Sequence, residues 1–364
     1  MNIIIIAGAR PNFMKIAPII HAILNKKKFG ININYRLIHT GQHYDKKMSG
    51  DFFEQLNIPL PDVNLESGGG TQAEQTASIM IKFEQELIKN PADLVLVVGD
   101  VTSTMACAIV AQKLKTKVAH VEGGIRSNDW TMPEEINRLV TDSITNYFFT
   151  TSEVANENLI KSGVSKDKIF FVGNTMIDTL LKQRPRFKKP EFWDEFNLIN
   201  KQYAVITLHR PANVDDKDIL KSILTEIIDN TNNIPIIFPV HPRTSKILNE
   251  IGLSNSRLHI VEPQSYLEFN YLVENSKFVI TDSGGITEET TVLGIPCITL
   301  RDNTERPETV TIGTNELIGT NPKNIKPNLE KIFKGEWKKG AIPKKWDGKS
   351  AERIIESLLN LNLI

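Results

Sequence analysis

Short apolar runs punctuate the first half of the chain: NIIIIAG, YRLIHTG, DLVLVVGD, KVAHVEGG and YFFTTS. Between them lie longer stretches with apolar residues at helical spacing, such as FMKIAPIIHAILNKK. Runs that are apolar throughout predict strands buried on both faces, and the intervening helices predict a parallel sheet covered on each side. The pattern lapses over 182–202, where LKQRPRFKKPEFWDEFNLINK is polar and rich in Lys and Pro, and this reads as an interdomain connection. It resumes with YAVITLH, IPIIFPVHP, LHIVEP, KFVITDSGG and IPCITLRD, a second doubly wound unit. The closing stretch places Ile354, Ile355, Leu358 and Leu359 at helical spacing and is expected to pack back on the first domain. The expected division is therefore 1–175 plus 350–364 for one Rossmann-like α/β domain and 176–349 for the other.

A length of 364 residues exceeds what one hydrophobic core usually serves, which agrees with two domains. Two such domains normally bind ligand in a cleft faced by the carboxyl ends of their strands. Lys+Arg 43 cancels Asp+Glu 43, so no long-range field favours nucleic acid as a partner. Cys107 and Cys297 each sit in an apolar run, which reads as two buried thiols and not as a disulfide framework or thiolate metal site. The opening MNIIII reaches Arg10 at once, and no run of about 18 apolar residues occurs, so neither a signal peptide nor a spanning helix is read and a cytoplasmic location is expected.

Chemistry-bearing residues gather at the strand ends. In FVITDSGGITEETTVLG a strand leads through Ser283, Gly284 and Gly285 into a helix expected to begin near Ile286. Glycines let backbone N–H groups approach a ligand, and a helix N-terminus adds partial positive charge, together a phosphate cradle, although Ser-Gly-Gly alone also suits a plain tight turn. Glu288 and Glu289 then fall in the first turn, where Glu289 reaches toward ribose hydroxyls or simply answers the helix dipole. In IIIIAGARPNFMK, Arg10 and Lys15 suit anion clamps, or else solvated basic positions, and the segment is neither a Walker A nor a dinucleotide fingerprint.

Three acids follow apolar strands within a short span: Asp100 in VVGDVTST, Glu122 in AHVEGGIRS and Glu134 in MPEEINR. A carboxylate there is costly unless paired or used. Asp100 alone also fits a helix cap. In the second half, His209 and Arg210 end one strand (ITLHRPANV), and His241 and Arg243 end another (FPVHPRT). Histidine at such a place shuttles protons or binds phosphate. Arg306, in DNTERPETV, adds a further basic clamp. No two of these residues have the helical spacing of a His-Glu-x-x-His metal site, and no metal or other cofactor is expected.

Taken in order, GARPNFMK, HTGQHYD, VVGDVTST, HVEGGIRS, MPEEINR, FFVGNTMID, TLHRPANV, PVHPR, TDSGGITEE and RDNTERPE resemble the non-hydrolysing UDP-N-acetylglucosamine 2-epimerases over nearly the whole chain. The resemblance implies a glycosyltransferase-B-type fold, UDP held mainly by the second domain, and a homodimer acting on a UDP-sugar. Matching positions carry the family's catalytic group onto Asp100, Glu122, Glu134 and His209. UDP contacts fall on Arg10, Lys15, Phe269, Ser283, Gly284, Glu289 and Arg306; spacing alone would place Phe269 in the core. The implied reaction interconverts UDP-N-acetylglucosamine and UDP-N-acetylmannosamine by elimination and re-addition of UDP. Alternatives are epimerisation of a modified UDP-hexosamine, such as a diacetamido uronic acid, or glycosyl transfer. Two departures stand out. This chain has Asn12 where the family often has Glu after Arg-Pro, and Pro211-Ala212-Asn213 where it often has x-Glu-Asn.

Overall fold

The computed structural model describes residues 1–41, 53–240 and 242–361, without the side chains of Arg10, Pro242, Arg243 and Asn249. The chain divides into two compact units, Met1–Lys182 with Lys344–Ile364, and Gln183–Pro343.

In the first unit β1 (Asn2–Ala7), β2 (Asn34–His39), β3 (Val63–Asn64), β4 (Leu94–Val98), β5 (Lys117–Val121), β6 (Tyr147–Thr150) and β7 (Ile169–Phe171) form one sheet. Its order is β3-β2-β1-β4-β5-β6-β7, and every pairing is parallel. All five residues of β4 are buried, because helices cover both faces and leave no solvent side to alternate toward. Strand order reverses between β1 and β4, so connections from these neighbours leave to opposite faces and open a crevice at their carboxyl ends.

The helix Ser350–Asn360 belongs to this unit and buries Ile354, Ile355 and Leu358 completely, packing on the helix Arg10–Lys28. Asp178, in the helix Thr175–Gln183, accepts the backbone N–H groups of Ser350 and Ala351 at 3.1 and 2.7 Å, while Thr179 donates to the Met14 carbonyl at 2.6 Å. Trp346 is buried and donates to the Thr151 carbonyl at 3.0 Å. These contacts put the breaks after Lys182 and Pro343, whereas composition suggested 175 and 349.

The second unit carries β8 (Ala204–Thr207), β9 (Ile236–Pro239), β10 (Leu258–Val261), β11 (Phe278–Thr281), β12 (Cys297–Thr299) and β13 (Asn315–Leu317) in the parallel order β10-β9-β8-β11-β12-β13. Here the order reverses between β8 and β11. The passage over 182–202 is more than a connection: Trp193 and Leu198 pack with Tyr203 and Val205 in one of this unit's cores. Its aromatic residues were masked in the sequence by the surrounding Lys and Pro. Cys107 and Cys297 are both buried and free, and burial pushes the Cys297 thiol up to about 12.

Asp178→Ala would leave two helix-start N–H groups without their acceptor, at a cost of about 2 kcal/mol. The urea midpoint should fall with an unchanged slope; an unchanged midpoint would show that Ser350–Asn360 docks without this anchor.

Candidate active site

In the first unit the loop after β1 is shaped by Asn12. Its Oδ1 accepts the N–H groups of Gly8 and Ala9 at 3.0 and 2.9 Å, and its Nδ2 donates to the Val98 carbonyl at 3.2 Å. One buried amide thus ties the end of β1 to the end of β4 across the reversal, a task needing both a donor and an acceptor. The chain runs on through Gly99, at φ +69°, where a Cβ would stand 3.1 Å from Lys15 Nζ and 4.0 Å from Glu122 Oε2. Only glycine suits a left-handed position packed this closely. Lys15 Nζ lies 2.8 Å from Glu122 Oε2, with both side chains largely buried. Glu122 itself has φ +71°, a strained backbone for a non-glycine residue and of the kind that clusters at functional sites.

The neighbouring acid, Asp100, is held by the Arg138 guanidinium, which also donates to Glu135 Oε2 at 2.7 Å. Asn137 Nδ2 donates to the Asp100 carbonyl at 2.8 Å. Glu135 accepts further from Ser127 N and Oγ and from Asn128 N. Burial pushes the Glu135 carboxyl up, but the hydrogen bonds from Ser127, Arg138 and Asn128 outweigh it and leave the group below its ordinary value. Two turns on from Glu135, Asp142 accepts from Arg126 at 2.6 Å and from Gly124 N at 3.0 Å, and lies 2.7 Å from His120 Nδ1. The other His120 nitrogen lies 2.8 Å from the Gly99 carbonyl, directly before Asp100. The helix Pro133–Ile144 therefore turns a charged face inward, Glu135, Arg138 and Asp142, and uses it to hold the loops after β4 and β5.

The structure brings Lys15, Asp100 and Glu122 to the carboxyl ends of adjacent strands. Glu134 is exposed in the first helical turn and, among the described residues, takes no part in the ion-pair network, which uses Glu135 instead. His120, Glu135, Arg138 and Asp142 were not singled out from the sequence, and Asn12 stood out there only as a departure from the family pattern. The signal for three of them lay in the spacing 135, 138, 142, polar residues on a helix face that should have been apolar.

In the second unit the helix after β11 begins at Gly284, two residues before the expected Ile286, with Ser283 as N-cap and no side-chain capping bond. Gly284 and Gly285 are thus its first residues, and their N–H groups have no partner within the helix. A Cβ at Gly285 would meet nothing within 4 Å, so the first turn opens on free space. The earlier start moves Glu288 and Glu289 out of the first turn and buries both. Glu288 pairs with Arg306 Nε, and Asn270 Nδ2 lies 3.5 Å from Glu289 Oε1. Burial pushes the Glu289 carboxyl up to about 7; hydrogen bonds from Tyr266 and Asn270 oppose the rise and the Glu288 charge adds to it.

Asp282, fully buried just before Ser283, accepts the backbone N–H groups of His209 and Arg210 and the Asn213 amide. Arg210 Nε donates to the Asp282 carbonyl at 3.1 Å, and Arg301 is held by Glu305 at 2.7 Å and Asn303 at 3.0 Å. His209, Arg210, Ser283, Gly284 and Gly285 thus share one end of the sheet. Phe269 is half-buried and packs against the Trp193–Tyr203 core, as its spacing suggested. His241 and the side chains of Arg10 and Arg243 lie outside the described residues. Open N–H groups at a helix N-terminus with cationic side chains at the same sheet end suit a diphosphate.

A carboxyl raised to about 7 when folded, against 4.5 ordinarily, contributes stability fully below about pH 4.5 and loses it as pH rises through about 7. Glu289→Gln removes that loss. Its stability relative to the parent should climb by about 3 kcal/mol across this window, read from urea unfolding at a series of pH values. A difference independent of pH would contradict the burial argument.

Known proteins carry the same arrangement of sequence. Residues 25–359 match the description of the UDP-N-acetylglucosamine 2-epimerase family. The UDP-N-acetylglucosamine 2-epimerase of Methanocaldococcus jannaschii is 44% identical over 371 residues, 98% of this chain and 99% of its own. Its counterpart in Methanococcus maripaludis is 43% identical over 344 residues, 91% of each chain. The crystal structure of the Methanocaldococcus jannaschii enzyme in complex with UDP-GlcNAc and UDP gives a TM-score of 0.86 over 99% of both chains. With a family match that spans both units and identity maintained from end to end, this chain belongs to the UDP-N-acetylglucosamine 2-epimerase family.

Proposed function

We propose that the protein interconverts UDP-N-acetylglucosamine and UDP-N-acetylmannosamine without hydrolysis. The observation that carries this reading is the pair of cation-held carboxylates, Asp100 and Glu122, on neighbouring loops of the first unit. A carboxylate removes the proton from carbon 2 while the bond from carbon 1 to the UDP oxygen breaks, leaving 2-acetamidoglucal and UDP. A proton then returns to carbon 2 from the opposite face as the UDP oxygen re-forms its bond to carbon 1. Asp100 serves one face, and Glu122 or Glu134 the other.

The carbon-2 proton is barely acidic, so diphosphate departure carries much of the barrier. Donors at Ser283, Gly284 and Gly285, with Arg10, Arg210, His241 and Arg306, answer the charge that develops; one well-placed donor is worth roughly 3 kcal/mol. Lys15 acts in this scheme through Glu122, its 2.8 Å partner, as well as through any phosphate it meets. Phe269 lies near the uracil, and Glu289, as a neutral acid, donates to a ribose oxygen.

The same reading includes a cytoplasmic homodimer. Among the described residues no helix is long and apolar enough to cross a membrane. Ile81 and Ile88, two turns apart on the helix Gln72–Lys89, are 58% and 62% exposed, a face suited to a second copy. Sedimentation should give twice the chain mass; a monomer would remove this part of the reading.

In heavy water with UDP-N-acetylglucosamine, proton NMR should show deuterium entering carbon 2 of both UDP-sugars. Free sugar would mean hydrolysis, and no exchange would end the epimerase reading. Asp100→Asn should keep UDP affinity and lower kcat by about 100-fold or more. Unchanged turnover would remove Asp100 from the mechanism.

A further inference from the structure

His209 stands two residues past the end of β8 with its side chain 64% exposed, yet its Nδ1 lies 2.7 Å from Oδ1 of the fully buried Asp282. That is the ring's one polar contact among the described residues. Packing does not orient a ring this exposed, so its contact with Asp282 is what sets the orientation. We propose that Asp282 is a positioning residue for His209, fixing the ring so that it meets the diphosphate through Nε2. The inference rests on the epimerase reading above and adds to it the group that sets the geometry of the proton carrier.

The chemistry follows from the donor count. Burial pushes the Asp282 carboxyl up, but hydrogen bonds from His209, Asn213 and the Arg210 backbone outweigh it and hold the group below its ordinary value. Asp282 is thus a carboxylate, an acceptor only. Its Oδ2 is occupied by Arg210 N at 2.9 Å and Asn213 Nδ2 at 3.0 Å. Its Oδ1 faces the His209 backbone N–H at 3.1 Å and the imidazole. Facing an acceptor, Nδ1 must carry the ring proton. Nε2 is then the nitrogen left for a ligand, at the sheet end that His209 shares with Ser283 and Gly284. In the neutral ring Nε2 accepts a proton. In the cationic ring it donates one to a phosphate oxygen as the bond to carbon 1 breaks, and recovers it when the bond re-forms.

The same carboxylate joins the loop after β8 to the loop after β11, so a purely structural role has to be separated from a positioning one. Two measurements do this on the full chain. Long-range 15N–1H NMR, with His209→Gln to assign the signal, should show the neutral His209 ring protonated on Nδ1. A ring protonated on Nε2 would overturn the proposal, and this reading needs neither activity nor a folded Asp282 variant. In the second, Asp282→Asn should lower kcat by about 100-fold with the UDP Kd changed less than about threefold. In a His209→Gln background the same substitution should lower kcat no further, because both residues act as one unit. Losses that multiply would mean that Asp282 acts independently of His209 and would also overturn it. A parent enzyme without turnover would end the epimerase reading, and the NMR arm would still decide the role of Asp282.

Discussion

Asp282 carries a negative charge that water cannot reach, and the second unit's chemistry is arranged around satisfying it. An ionised carboxylate is very expensive to bury alone, so donors must converge on it. They come from the loop after β8, the backbone of His209 and Arg210 and the amide of Asn213, and so the two strands flanking the reversal of order are fastened at their carboxyl ends. The Ser-Gly-Gly turn follows immediately, and its helix therefore starts at a defined place with its first N–H groups open. In the first unit Asn12 performs the corresponding task between β1 and β4, without a charge, because the groups to be joined there are two donors and one acceptor.

Charge is handled differently in the two units. The first concentrates ion pairs beneath its acids: Lys15 with Glu122, Arg138 with Asp100 and Glu135, Arg126 and His120 with Asp142. Replacing such pairs with apolar residues would often stabilise a fold, so their presence points to function. Each holds a loop or a carboxylate in register with its neighbour. The second unit buries its acids under a helix, where Glu288 takes a guanidinium and Glu289 a phenol and an amide. That leaves one carboxyl beside a cation and its neighbour pushed up by burial within a single turn, two environments for adjacent acids.

The apolar runs determined most of the architecture. Continuous hydrophobic stretches such as LVLVV and FVIT specify strands buried on both faces, and a strand of that kind is stable only within a helix-covered parallel sheet. The short strands β3 and β13 left no such run, because their two and three residues, VN and NEL, are largely polar. The strand-end positions of Asp100, Glu122, His209 and Ser283 were legible for the same reason: a polar residue stands out where an apolar run stops.

What lay between those residues was decided only in three dimensions. Helix spacing puts Glu135, Arg138 and Asp142 on one face, but it does not name the groups they hold, which lie on the loops after β4 and β5. Nor does linear order show that Asp282 meets His209, or Asn12 meets Val98, across more than 70 positions of chain. By itself the sequence determined which segments had to be buried and which side chains would emerge where burial ended, because solvation of each residue is a local property. The partners of those side chains, and hence their ionisation and orientation, depend on contacts that exist only once the strands have been ordered into sheets.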